Sequence, residues 1–171
     1  VTASLNGCTK STPVLVQTKT VTVNAGSDVT VCSGTAASLQ ASSDSTGVSY
    51  SWSPSTGLSS TAVANPTATL TTTQLLNQTY TVTATLNGCT RTDQVVVRVN
   101  PLPVISAGPD KLIVNGDEIE LNGTGIPNPA SIAWTPNTAI TGSNIYTPMV
   151  KPTMTTTYTL TVRDNNNCVS T

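Results

Sequence analysis

The sequence predicts an all-β protein: tandem β-sandwich units arranged end to end. Three observations carry that prediction. The chain repeats itself with a period of about 80 residues, its Val and Thr alternate with period two, and Asn-Gly pairs sit where hairpins must turn. The repeat is plainest at Tyr80-Thr81-Val82-Thr83-Ala84-Thr85-Leu86-Asn87-Gly88-Cys89-Thr90-Arg91. This nearly duplicates Val1-Thr2-Ala3-Ser4-Leu5-Asn6-Gly7-Cys8-Thr9-Lys10, and a third copy runs from Tyr158 to Cys168. The cysteines step by 81 (89 − 8) and then 79 (168 − 89). Asn24-Ala25-Gly26-Ser27-Asp28 returns as Ser106-Ala107-Gly108-Pro109-Asp110, and Tyr50-Ser51-Trp52-Ser53-Pro54 as Ile132-Ala133-Trp134-Thr135-Pro136. Such a period is too long for a solenoid unit and suits a small autonomous domain.

The array is out of register with the chain. Residues 1–20 read as the C-terminal strands of a preceding repeat, 21–100 as a complete repeat, and 101–171 as a repeat lacking its last strand. The earlier copies continue past their cysteine into Pro13-Val14-Leu15-Val16-Gln17 and Gln94-Val95-Val96-Val97-Arg98-Val99, and the third has no such run. The sequence therefore reads as a window on a longer protein, or as one whose missing strand comes from a neighbouring molecule. It holds no signal peptide and no apolar run of membrane-spanning length.

Composition narrows the class. Seven Lys+Arg face eight Asp+Glu, which gives neither the basic face that nucleic acid needs nor a polybasic patch for a membrane. Neither nucleic-acid binding nor direct membrane insertion is expected. Thr (34) and Ser (18) dominate the polar residues, and Thr favours strands. Phe is absent, so Trp52, Trp134, Tyr80 and Tyr158 are the predicted core anchors. Clean Val/Thr alternation and one Trp per repeat argue against a disordered, mucin-like stalk.

Within the complete repeat, strands are predicted at Asp28–Cys32, Ala37–Ala41, Val48–Ser53, Ala62–Leu70, Tyr80–Leu86 and Gln94–Val99. Tyr80, Val82, Ala84 and Leu86 face one way, with Thr81, Thr83 and Thr85 opposite. Asn87-Gly88 suits a type I′ hairpin, which needs positive φ at both central positions. Turn residues fall at Ser33-Gly34, Asp44–Gly47, Pro54–Gly57 and Asn65-Pro66. About seven short strands in some 80 residues is the pattern of an immunoglobulin-like sandwich, with Trp on a middle strand and Tyr80 or Tyr158 placed to form a tyrosine corner.

Cys32 lies early and Cys89 late in that repeat, so the sequence predicts a Cys32–Cys89 disulfide. It would close a loop of 57 residues (89 − 32), worth roughly 4 kcal/mol in the loop-entropy model. The alternative is two buried free thiols. Val114 replaces Cys32 in the third repeat, which leaves Cys168 without a partner in this alignment. A disulfide implies an oxidising, extracellular location. Widely spaced cysteines and the absence of His argue against zinc.

The blocks Asn24–Gly34, Tyr50-Ser51-Trp52-Ser53-Pro54 to Ser60 and Ala64-Asn65-Pro66-Thr67-Ala68-Thr69, with Tyr80–Thr90, resemble the Ig-like, PKD-like repeats of giant Bacteroidetes surface proteins. These include gliding-motility adhesins exported by type IX secretion. The resemblance covers the whole chain, although the third repeat departs from it at Val114. It implies an extracellular, cell-surface structural role.

Chemistry is sparse. Without His, no Ser-His-Asp or Cys-His arrangement can be built, and an enzyme is not expected. Glu118 and Glu120 share a strand face but have no counterpart in the second repeat, so a solvated face is the plainer reading. Asp28 and Asp110 recur beside the predicted interdomain joint, and Asp164 sits in an Asn-rich turn. Oxygen-rich joints can bind Ca²⁺, but no spacing demands it, and Asp is at home in turns. Asp44-Ser45-Thr46 resembles the Bacteroidetes O-glycosylation sequon, which makes Ser45 the candidate acceptor.

The function expected from all this is a stalk or filament segment of a large secreted cell-surface adhesin. Its partners would be neighbouring repeats, with surface polysaccharide or other cells engaged by distant regions. The alternative is a carbohydrate-binding or accessory module of a secreted enzyme, which would need exposed aromatics.

Overall fold

The computed structural model describes residues 1–15 and 20–171. All of its regular elements are strands. The β-prone stretch expected over Thr12–Val23 includes residues 16–19, which lie outside the described residues.

The chain opens with a hairpin of β1 (Thr2–Leu5) and β2 (Cys8–Ser11), in register from Thr2↔Ser11 to Leu5↔Cys8. Asn6 and Gly7 take φ of 51° and 79°, the left-handed pair that a type I′ turn requires. Every residue of both strands is exposed.

Residues 21–100 gather around one core. β3 (Val29–Cys32), β5 (Ser49–Ser53), β7 (Leu76–Leu86) and β8 (Cys89–Asn100) form a sheet in the order β3-β8-β7-β5. β3 runs parallel to β8, and the other pairs are antiparallel. β4 (Ala36–Ser38) and β6 (Thr67–Thr69) form the opposing sheet. The first segment crosses between them: Asn24 bridges Ser42 on one side, and Val29–Cys32 joins β8 on the other. The core draws from both sheets. Ala37, Leu39 and Ala68 pack with Trp52, Tyr80, Val82, Val95, Val97 and Val99. Alternation explains the burial of β7 and β8, since residues two apart share a face. Val96, on the other face of β8, is half-buried, so the apolar run of residues 94–99 is covered mainly on one side.

Residues 101–171 repeat the plan around a second, smaller core. β10 (Ser131–Thr135), β13 (Thr159–Arg163) and β14 (Val169–Ser170) make one sheet. β9 (Ile119–Glu120), β12 (Met149–Val150) and β11 (Ile140–Thr141) make the other. Trp134, Leu160 and Val162 are its buried centre. The bridge Ser106↔Thr124 matches Asn24↔Ser42 at an offset of 82 (106 − 24). Sheets that enclose a Trp on a middle strand are an immunoglobulin-like arrangement.

Two tryptophans anchor these cores in the same way. Trp52 and Trp134 are 3% and 2% exposed. Each indole Nε1–H donates to a carbonyl eleven residues on: Trp52 to Val63 and Trp134 to Ile145, both at 3.0 Å. The strand expected over Ala62–Leu70 is therefore shorter, Thr67–Thr69. Residues 61–65 bend instead, which brings the Thr61 carbonyl to the Trp52 backbone N–H and the Val63 carbonyl to its indole. A buried indole N–H needs a partner, and an extended strand would carry Val63 past it. The second core also excludes side chains. A Cβ on Gly123 would lie 2.7 Å from the Trp134 ring and 2.5 Å from the Tyr146 carbonyl oxygen.

Trp52→Ala or Trp134→Ala should destabilise its own unit by about 3–5 kcal/mol. Chemical denaturation of the single variants checks this, and the remaining indole in each variant reports whether the other unit still unfolds at its wild-type midpoint.

Candidate functional site

A disulfide and a set of hydrogen bonds link the segment that carries the first core to the one that carries the second. β3 ends at Cys32, level with Asn100 at the end of β8. The Ser33 N–H donates to the Asn100 carbonyl at 2.8 Å, and Gly34 donates to the Leu70 carbonyl at 2.8 Å. Asn100 is buried, and Pro101-Leu102-Pro103 leads away from it, with Pro103 buried in turn. The turn between β13 and β14 packs back onto this strip. The Ser170 hydroxyl donates to the Pro103 carbonyl at 2.6 Å. Cys168, fully buried, is disulfide-bonded to Cys32 across a sequence separation of 136.

This pairing corrects the expected Cys32–Cys89 bridge and gives Cys168 the partner it was expected to lack. The reason is strand length. Cys32 lies beside the end of β8, whereas Cys89 begins that strand eleven residues earlier (100 − 89). At about 3.3 Å per residue the two are roughly 36 Å apart. Cys89 and Cys8 are exposed thiols at hairpin positions equivalent to that of Cys168. Closing a 136-residue loop is worth about 5 kcal/mol in the loop-entropy model.

Carboxylates serve the frame around the joint and the sheet edges. Asp164 accepts from the backbone N–H groups of Asn166 and Cys168 at 2.9 and 2.8 Å, which shapes the turn that presents Cys168. Asp28 accepts from the Val96 N–H at 2.8 Å, and Asp93 from the Ala25 N–H at 2.8 Å. These two bonds fasten residues 25–28 to β8. The Ala25 N–H, and then that of Gln94, hold the Asp93 carboxyl below the usual carboxylate range. A hydrogen bond from the Thr22 hydroxyl acts in the same direction on Asp44. Asp110 is exposed. Among the described residues no three or more His, Cys, Asp or Glu side chains gather where a metal ion could sit.

The remaining candidate residues are dispersed. Tyr80 is fully buried, and its hydroxyl donates to the Thr56 carbonyl at 2.5 Å. That acceptor lies 24 residues upstream, in the loop after β5, so the contact is not a tyrosine corner, which reaches only a few residues back. Tyr158 is half-buried, with its hydroxyl 3.4 Å from the Thr138 carbonyl. Tyr146, which the sequence did not single out, packs on the second core and donates to the Ile126 carbonyl at 2.9 Å. Burial pushes the phenol pKa up in all three. Glu118 and Glu120 are exposed on either side of half-buried Ile119. Ser45 lies half-buried between β4 and β5, with its hydroxyl 3.4 Å from the Asp44 carboxylate. No buried side-chain polar atom among the described residues lacks a hydrogen-bond partner, so the cores hold no polar group poised for a ligand.

Two outcomes follow. Non-reducing peptide mapping should recover a Cys32–Cys168 linked peptide with Cys8 and Cys89 alkylatable, and Cys32→Ser/Cys168→Ser should lower unfolding free energy by about 2–5 kcal/mol. The Asp93 carboxyl titrates lower when folded than unfolded, so the unfolded chain binds more protons in acid. Its contribution is present above the unfolded value of about 4 and lost as pH falls through the folded one. Asp93→Asn should flatten the fall in melting temperature between neutral and acid pH.

The sequence matches no family model and no curated protein. Among solved structures, it is similar to the titin domains z1z2 in complex with telethonin: 19% identity over 91% of this chain and 94% of that one, TM-score 0.41. It is also similar to the Drosophila OTK extracellular domains 3-5, at 14% identity over 89% of this chain and 59% of that one, TM-score 0.46. A third is the Bacteroides ovatus SGBP-B in complex with mixed-linkage heptasaccharide, at 15% identity over 90% and 46% of the chains, TM-score 0.35.

Proposed function

We propose that this chain is a stalk segment of a large secreted cell-surface adhesin, of the gliding-motility type that its repeat motifs resemble, and not an enzyme. The observation that carries the proposal is the covalent joint. Cys32 and Cys168 tie two immunoglobulin-like units across a short proline-containing connection, Pro101-Leu102-Pro103. A link with few free residues limits bending, and proline holds the path extended. The units thus stand end to end as a semi-rigid rod, with recognition of polysaccharide or other cells left to distant regions and neighbouring repeats as direct partners. The disulfide also favours an extracellular setting.

The inward placement of the aromatics supports the stalk over the carbohydrate-binding alternative. Sugar sites use exposed rings, whereas both indoles are buried and all four tyrosines are buried or half-buried.

Small-angle scattering of the monomeric chain tests this reading. An elongated particle with two resolved lobes is expected, and reduction of the disulfide should broaden the distribution of lobe separations. A compact particle with the units folded onto each other contradicts the stalk.

A further inference from the structure

Residues 22–28 cross from one sheet of the first unit to the other, and all three acidic side chains of residues 21–100 hold them. Asp44 accepts from the Thr22 hydroxyl at 2.6 Å, and Asp93 accepts from the Ala25 N–H at 2.8 Å. Asp28, on the segment itself, accepts from the Val96 N–H at 2.8 Å. The last two contacts share one spacing. Each spans 68 residues, the same as Val29 to Val97 (97 − 29), where the β3–β8 ladder begins. Two carboxylates thus continue, along residues 93–96 of β8, a parallel pairing that the backbone makes only from Val29 onward.

The anchors on either side do not titrate. Asn24 and Ser42 exchange two backbone hydrogen bonds at 2.9 Å, and Val29–Cys32 pairs with β8 as far as Asn100. Between them Ala25 is fully buried. Charge-assisted hydrogen bonds are roughly twice as strong as neutral ones, so protonating Asp93 and Asp28 weakens the stretch between the anchors and spares the anchors themselves. Few other charges act on it. Arg91 and Arg98, both exposed on β8, are the only cations of residues 21–100, and Arg98 lies in register with Thr30. β3 carries no titrating group, and β7 carries only Tyr80, whose hydroxyl is committed to the Thr56 carbonyl. Two positive charges are too few for acid repulsion to open the core.

We propose that residues 25–28 are an acid-released latch on the edge of β8, closed while Asp28 and Asp93 are ionised and open when both are protonated, with the rest of the first core intact. The sign follows from the bonds. Both carboxylates accept as anions, so the latch holds above their titration and is lost as pH falls through it. Among the described residues no strand flanks 93–96 on that side, so opening bares their main chain while β3 still covers residues 97–100. A pH-dependent strand edge goes beyond the stalk reading, which a rod indifferent to acid would satisfy.

Amide NMR of the 171-residue chain tests it, from neutral pH to about pH 2, below the usual Asp value, with protonation read from the carboxyl carbons. As Asp28 and Asp93 titrate, backbone order parameters over residues 25–28 should fall from about 0.85 to below about 0.6. Those of Val97 and Val99, and the Trp52 indole signal, should stay native. Asp28→Asn/Asp93→Asn keeps the size and an acceptor oxygen but cannot change charge, so its order parameters over 25–28 should be the same at both ends of the range. Residues 25–28 that stay ordered with both carboxyls protonated overturn the latch. So does their release at the same pH as Val97 and Val99, because latch and core are then one unit, and so does a double variant that titrates like wild type.

Discussion

Each half of this molecule is organised around an indole that must be both dry and hydrogen-bonded. With no Phe in the sequence, Trp52 and Trp134 supply the largest apolar surfaces, and burying them drives the two sheets together. Their N–H groups then dictate the loop path, because each must find a carbonyl inside the fold. Both find it eleven residues on. The same spacing recurs although the two loop sequences differ. The Trp134 ring also forbids a Cβ at Gly123.

Much of the fold was legible because its rules are local. Period-two alternation gave β7 and β8, and Asn-Gly gave the hairpin turns, since both follow from strand geometry and from positive φ. The third turn uses Asn167 at φ 65° where Gly stands in the others, and the residue type permits it. The loop after β5 was less legible. Residues 62–64 read as strand by composition, yet they bend, with the Val63 carbonyl accepting from the Trp52 indole. Tyr80 misled similarly: its position on the strand was readable, but its acceptor at Thr56 depends on how the loop folds back.

The disulfide was misread for an instructive reason. Two cysteines within one complete repeat invite pairing, but β3 runs parallel to β8 and so ends beside its far end. That parallel register carries Cys32 away from Cys89 and toward the following turn. The β13–β14 turn, shaped by Asp164, presents Cys168 there, and the two sulfurs join.

The bridge between Cys32 and Cys168 also decides how the protein carries mechanical load. Tension applied between the segment leading to Cys32 and the residues after Cys168 crosses the sulfur–sulfur bond. The polypeptide between the cysteines, a separation of 136, lies outside that force path. At about 3.4 Å per residue, some 460 Å of slack stays locked away while the bond is intact. Unfolding either core then releases none of the chain between the two cysteines. An oxidised chain is a shorter, stiffer tether, and a reduced one is a longer and more extensible one.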